Sequence, residues 1–362
     1  MLGLTVITSL PNQKIISEEV HHLTTNKPFT RQEKILSMLS RCRGVNIEIV
    51  QNDFAEQEQC VIRSTATDPK YLTFLKNAYP SFVEAGSNEE YVSPFDGGLN
   101  NYYFPKNVIS DAILDKVPYY LQCGVYSNDF CTSIFNYTYE YCIRSAFNGL
   151  LASSRLGTTN VIYCLNVLPG HHATNNLYSG YCFINNAAVC AYGLLPFCSK
   201  IAILDLDFHH GDGTQKIFYD NPNVMTISIH GDPTITFPFY SGYAAEKGFC
   251  GMSRYNYNFP LPMKTKIDTY HKTLIRALEL INGFGPSVVI IPFGADTYNG
   301  DPQGGFSLEF NDYELIGCSI REYIKVPMIV TQEGGYCLDV VDNVLYHFFM
   351  GLCDIHDLHE KY

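Results

Sequence analysis

Ile201-Ala202-Ile203-Leu204-Asp205-Leu206-Asp207-Phe208-His209-His210-Gly211-Asp212-Gly213-Thr214-Gln215 opens as an apolar run and closes on a dense group of aspartates, histidines and glycines. That order describes a buried strand, read over Ile201–Leu206, whose carboxyl end carries polar groups. The pattern recurs on both sides of it: Val161–Leu165, Val224–Ile229, Val288–Pro292 and Pro327–Thr331 are further β-rich runs of strand length. Between them lie helical segments, Asn185–Leu195 and Asp268–Ile281, the second with Leu274, Ala277, Leu278 and Ile281 on one face. Strands alternating with helices imply an α/β protein with a mainly parallel central sheet and helices on both faces. The first ~150 residues are mixed in pattern. There Met1–Leu10 reads as a first strand, Gln32–Leu39 as helical, Glu84–Asn107 as a long loop and Thr132–Ala152 as apolar at helical spacing. A single domain over 1–362, with a loop insertion around 84–116, accounts for the length.

In sheets of this kind ligands bind beyond the carboxyl ends of the strands. Each predicted strand delivers polar or ionisable residues there: His171-His172, then Asp205 to Gly213, then His230-Gly231-Asp232-Pro233, then Gly294-Ala295-Asp296, and last Glu333-Gly334-Gly335-Tyr336. Asp207 and His209, two apart on an extended segment, point the same way. With Asp296 they make an oxygen and nitrogen donor set suited to a catalytic metal with one open position. Taken alone, Asp-x-Asp-x-His caps a turn as readily. His171 and His172 sit inside a run from Leu156 to Ser199 that holds no Asp, Glu, Lys or Arg across 44 residues. Buried imidazoles need partners, and Asp205 and Asp212 are the candidates, one for each histidine. Tandem imidazoles beside a metal suit general acid–base work. The Tyr336 hydroxyl could reach an oxyanion.

Composition bounds the classes of function. Lys and Arg number 24 against 36 Asp and Glu, a net charge of −12, which disfavours direct nucleic-acid binding and suits a cationic substrate as well as simple solubility. Thirteen scattered cysteines without a CxxC pair argue against a disulfide framework and a thiolate zinc site. Several, such as Cys164, Cys182 and Cys190, fall in apolar runs as core residues do. No run reaches the ~18 apolar residues of a membrane span. Without a basic n-region the N-terminus is not a signal peptide, so a soluble cytoplasmic protein is expected.

Pro169-Gly170-His171-His172-Ala173, Gly180-Tyr181-Cys182-Phe183-Ile184-Asn185-Asn186, the Asp205–Gln215 run, Gly294-Ala295-Asp296 and Glu333-Gly334-Gly335-Tyr336 resemble, in order, the motif series of the histone deacetylases. His230-Gly231-Asp232-Pro233 and the run 128–152 look closest to the acetylpolyamine amidohydrolase branch of that family. The resemblance implies an arginase/deacetylase-type fold and a Zn2+ ion on Asp207, His209 and Asp296. It implies His172 as general base and acid, His171 as its electrostatic partner and Tyr336 as the residue polarising the carbonyl. It further implies a Gly180 carbonyl that accepts the substrate amide, and Tyr181 and Phe237 as walls of an acyl channel. A structural K+ or Na+ would be held by Asp205, Asp207, His209 and Ser228 with the backbone of Phe208 and Ile229.

Two positions depart from the family pattern. Val167-Leu168 stands where many relatives carry Arg-Pro. Neutral Gln303 is the candidate where some polyamine-selective members place a glutamate; Glu89, Glu90, Asp111 and Asp115 are substitutes for that charge. The expected substrate is a cationic acylated amine, either an acetylpolyamine or an acyl-lysine with acetyl or a longer chain. A homodimer is compatible with the resemblance. The competing readings are a non-catalytic acyl-lysine binding module on the same fold and an arginase-like binuclear hydrolase. The first predicts a lost ligand, histidine or tyrosine, and none is lost. The second needs more bridging carboxylates beside Asp207 and Asp296.

Overall fold

The apolar runs form strands because alternate side chains enter two different cores. In a computed structural model, which describes residues 3–11, 26–51, 53–65, 67–94, 96–100, 111–157, 161–248 and 255–357, ten strands are seen. They are β1 (Leu4–Thr8), β2 (Cys42–Arg43), β3 (Val45–Ile49), β4 (Val161–Cys164), β5 (Ile201–Asp205), β6 (Val224–Gly231), β7 (Asn256–Leu261), β8 (Val288–Phe293), β9 (Met328–Gln332) and β10 (His356–Asp357). Short β2 and β10 pair antiparallel with each other. The other eight make one sheet in the order β3-β1-β4-β9-β8-β5-β6-β7, with every neighbouring pair parallel.

In β8, Val289, Ile291 and Phe293 pack into one apolar cluster while Val288 and Ile290 pack into the other. The same division separates Ala202 and Leu204 from Ile201 and Ile203 in β5. A sheet buried on both faces needs helices on both. The helix Ile267–Phe284 covers the first face with Tyr270, Leu274, Ala277, Leu278 and Ile281. Truncating Leu274 to alanine there should cost about 2–5 kcal/mol. The helices Thr138–Arg155 and Asn186–Leu194 cover the second face. Seven of the nine residues of Asn186–Leu194 are buried, which explains the chargeless run.

Four sequence readings are adjusted. The helix expected from Thr132 begins at Thr138, because Asp129 accepts hydrogen bonds from the amides of Cys131 and Thr132 and from the Thr132 hydroxyl, while Ile134 bridges to Leu99. β6 runs to Gly231 because β7, unanticipated, pairs along its outer edge. The edge strand β3 was also not foreseen. The long loop contains a 3-10 turn at Glu89–Tyr91 and a short helix at Asp111–Leu114, with residue 95 and residues 101–110 outside the described set.

Candidate active site

All the parallel strands end at one edge, and four adjacent central ones, β4, β9, β8 and β5, lead into the segments that carry His171-His172, Tyr336, Asp296 and Asp207–His209. The chain's order reverses around these strands, where a crevice opens in such sheets. Gly294 and Gly334 make room at the centre. A Cβ on Gly294 would lie 2.0 Å from Asp207 Oδ2, and one on Gly334 would lie 2.2 Å from Asp296 Oδ2.

Asp207, His209 and Asp296 each bring a donor atom within 4.8 Å of the others. His209 Nδ1 lies 3.3 Å from Asp207 Oδ1 and 3.2 Å from Asp296 Oδ2. Backbone amides hold the carboxylates in place: Gly334 N–H donates to Asp207 Oδ2 at 2.8 Å, and Phe208 N–H to Asp296 Oδ1 at 3.0 Å. Burial, then the neighbouring charge of Asp207, raises the pKa of Asp296. Burial would raise Asp207 too, but His171 and His209 outweigh it and hold this carboxyl far below its ordinary value. Against the opposing effect of burial, hydrogen bonds to Asp207 and Asp296 raise His209 to about 9. A proton thus sits where a cation placed among the three donors would displace it, and the oxygen and nitrogen set fits a divalent metal.

A second group, His171, Cys182 and Glu333, also has donor atoms close together. It fits a metal less well. Glu333 already accepts from the amides of Gly170 and His171 and from the Thr331 hydroxyl, and burial keeps the Cys182 thiol protonated.

The tandem histidine rings lie tilted at 42° to each other with centroids 4.0 Å apart, each on its own carboxylate. His171 Nδ1 meets Asp205 Oδ2 at 3.1 Å, and His172 Nδ1 meets Asp212 Oδ1 at 2.7 Å, an assignment that the sequence had left open. Their electrostatics diverge. For His171 burial opposes the charge, but Asp207, Asp205 and Glu333 overcome it and raise the pKa well above the ordinary value. For His172 burial and then the charge of His171 dominate, and Asp212 only partly compensates, leaving it at about 4. Two adjacent titratable groups pushed apart in this way are the mark of divided roles.

A cavity of about 190 Å³ reaches this cluster, lined by His172, His209, Gly180 and Tyr336, with Tyr181 and Phe237 as aromatic walls and Asp129, Cys131 and Gln303 completing it. The Phe237 ring stands edge-on to His172 with centroids 4.9 Å apart. Gly180 has a φ of +55°, and a Cβ there would lie 2.2 Å from the His172 ring, so only glycine lets the two approach. Burial and then Asp296 and Asp207 raise the Tyr336 hydroxyl well above its ordinary value, so it stays a hydrogen-bond donor. Gln303 Nε2 donates to the Tyr181 hydroxyl at 3.4 Å. The exposed carboxylates Glu89, Glu90 and Asp115 are not among the residues lining this cavity, and the Asp111 side chain lies outside the described residues.

Beneath the site, β5 and β6 pair Asp205 with Ser228. Ser228 Oγ lies 2.7 Å from His230 Nδ1, and His230 Nε2 lies 2.8 Å from the Gly242 carbonyl. If Nε2 carries the imidazole proton, the serine hydroxyl donates to Nδ1 and keeps its lone pairs for a cation. Of the expected cation ligands, the Phe208 carbonyl already accepts from Gly231 N–H at 2.8 Å.

Four structural participants were not singled out from sequence. Glu333 holds the backbone of the histidine loop. Asp301 accepts from the amides of Tyr336, Cys337 and Gln303. Asp129 takes the amide of Gly180. Arg31, only 2% exposed, reaches the carbonyls of Gly335 and Val167. Glu333 stood inside a quoted motif and Asp129 inside the quoted run 128–152; Asp301 and Arg31 carried no local signal.

Comparison with known proteins agrees with this architecture. Residues 27–352 match the histone deacetylase domain. The chain is 36% identical over 271 residues to the acetylpolyamine amidohydrolase of Mycoplana ramosa, covering 74% of this chain and 76% of that one. It is 33% identical over 319 residues to acetylpolyamine amidohydrolase 1 of Pseudomonas aeruginosa, covering 86% and 88%. The crystal structure of acetylpolyamine aminohydrolase from Burkholderia pseudomallei shares the fold, with a TM-score of 0.82 over 96% of this chain and 98% of that one at 24% identity. With the match running through every strand that builds the site, the chain belongs to the histone deacetylase family, with acetylpolyamine amidohydrolases among its relatives.

Proposed function

We propose that this protein hydrolyses the amide of N-acylated amines, giving a carboxylate and a free amine, with Zn2+ held by Asp207, His209 and Asp296. When bound, the ion supplies Lewis acidity to the acyl carbonyl and makes water nucleophilic near neutral pH. His172, neutral because it is buried beside a charged neighbour, takes a proton from the attacking water and returns it to the leaving amine. Asp212 orients its ring and fixes the tautomer. His171, paired with Asp205, stays cationic and opposes a second charge on His172. Tyr336 donates to the carbonyl oxygen as negative charge develops there. The Gly180 carbonyl accepts the substrate N–H, and Tyr181 and Phe237 flank the alkyl chain. A structural K+ or Na+ among Asp205, Asp207, His209, Ser228 and the backbone of Phe208 and Ile229 completes this reading.

The observation that carries the proposal is the pair of adjacent imidazoles with opposite pKa shifts, set beside a three-donor cluster that faces an aromatic-walled cavity. The relatives named acetylpolyamine amidohydrolase favour acetylated polyamines as substrates. A half-buried Asp129 at the cavity supports a cationic amine, whereas neutral Gln303 weakens selection for a second ammonium. The cytoplasm is the proposed location. No disulfide joins the described cysteines, and no helix among the described residues is long and apolar enough to cross a membrane.

The test is hydrolysis of N-acetylputrescine and acetylspermidine beside acetyl-lysine and longer acyl-lysine peptides, in zinc-loaded and chelated protein, with His172→Ala as control. Zinc-dependent turnover of the free polyamines alone is the expected result. Turnover of peptides alone would reassign the substrate to protein lysines. Inertness of zinc-loaded protein on every substrate would overturn hydrolysis in favour of a binding module.

A further inference from the structure

Tyr240 takes no part in the chemistry above, yet it touches the machinery. Its hydroxyl donates to Asp212 Oδ2 at 2.6 Å, while the other oxygen of the same carboxylate, Oδ1, meets His172 Nδ1 at 2.7 Å. On its far side the Tyr240 oxygen accepts from Asn128 Nδ2. An amide NH2 group can only donate, so the phenol proton is directed at Asp212. The contacts therefore run from Asn128 through Tyr240 and Asp212 to His172. They pass through a tyrosine that is 55% exposed and end at a histidine that is 4% exposed.

The segment that carries Tyr240 is braced. The Tyr243 hydroxyl donates to the Phe239 carbonyl at 2.7 Å, and Gly242 N–H donates to Glu246 Oε2 at 3.1 Å. Three residues before Tyr240, Phe237 places its ring edge-on against His172. One short stretch thus supplies both a wall for the imidazole and a donor to the carboxylate that orients it. A carboxylate bonded at one oxygen can still rotate; bonded at both, it cannot turn without breaking a charge-assisted hydrogen bond.

We infer that Tyr240 is a positioning residue for the proposed hydrolysis: by anchoring the second oxygen of Asp212, it holds the His172 imidazole in its working orientation, with Asn128 setting the direction of the phenol proton. This rests on the hydrolytic reading above. The ring alone, as a rim side chain, would have no such effect, and Tyr240→Phe separates the two because it keeps the ring and removes the hydroxyl.

The experiment measures kcat and KM of zinc-loaded wild type, Tyr240→Phe, Asp212→Ala and the double variant on whichever acetylated amine the wild type turns over best. The expected result is a fall in kcat of about tenfold for Tyr240→Phe, the scale of one lost hydrogen bond to a charged group, with KM unchanged. In the Asp212→Ala background the same change should do nothing further, because both substitutions act through one carboxylate. An unchanged kcat, a loss confined to KM, or an equal loss in both backgrounds would each overturn the inference. Should Tyr240→Phe fail to fold, Asn128→Ala takes its place, with a smaller fall in kcat that again vanishes beside Asp212→Ala; no fall would overturn the inference. A wild type inert on every substrate would overturn the hydrolytic reading and this inference with it. An active wild type with an insensitive Tyr240→Phe would overturn this inference alone.

Discussion

His171 and His172 are neighbours in sequence, equally buried, and each bonded through Nδ1 to an aspartate. They end in opposite states. Asp207, Asp205 and Glu333 surround His171 and draw a proton onto it, overcoming burial. His172 has Asp212 alone and faces the charge of His171, so burial prevails and the ring stays neutral. The difference teaches that residue type and a carboxylate partner do not assign a role; the count of charges around each ring does.

The sharpest way to break the comparison is to remove the neutral member. His172→Ala is expected to lower kcat by roughly 10²–10⁴-fold, the range of general acid–base catalysis, without changing zinc content by elemental analysis. An activity close to wild type would show that proton transfer does not pass through His172. Tyr336→Phe leaves both histidines intact and removes only the hydroxyl proposed to donate to the carbonyl oxygen. A fall of about 10²–10³-fold in kcat is expected, and a change confined to KM would reassign the tyrosine to binding.

Asp212→Asn sharpens the contrast by weakening the one partner of His172. Loss of a carboxylate that orients a catalytic imidazole is expected to cost about 10–100-fold in kcat. Equal damage from Asp205→Asn would leave the division of roles unsupported. The smallest effect is read without any mutation, by nitrogen-15 NMR of the imidazoles through a pH titration. The His171 ring should stay doubly protonated above the ordinary imidazole value, while the His172 ring stays neutral down towards pH 4. Because His172 is lowered from 6.5 to about 4, the unfolded chain binds its proton first. This histidine therefore withdraws stability as pH falls from about 6.5 towards 4, and has no such effect above that window. A His172 signal that titrated near 6.5 would erase the comparison.

Much of this site was readable before folding because its residues stand directly after apolar runs. Asp205, Asp207 and His209 follow the hydrophobic part of β5, and Asp296 follows β8. Even the pairing of each histidine with its own aspartate followed from the need of a buried imidazole for a partner. The edge strands were harder. β3 is only partly buried, and β7 mixes Asn256, Asn258 and Pro260 with its apolar residues, so neither shows a clean alternation. Arg31 gave no local sign of its place. It lies 304 positions before Gly335, whose carbonyl it reaches, in a helix whose pattern reports only an amphipathic face. Asp301 and Asp129 were given no role from the sequence. Their work is to accept amides from Tyr336 and Gly180, contacts made only once distant loops meet.

The sequence by itself determined the class of fold and offered a candidate donor set and the tandem histidines, because periodicity and residue chemistry are local properties. The tertiary structure alone decided which histidine is charged, which carboxylates brace the loops, and that a tyrosine at the rim bonds the aspartate behind His172. Those outcomes depend on distances between segments far apart in the chain. Electrostatic interaction and desolvation act through such distances, whatever the separation in sequence.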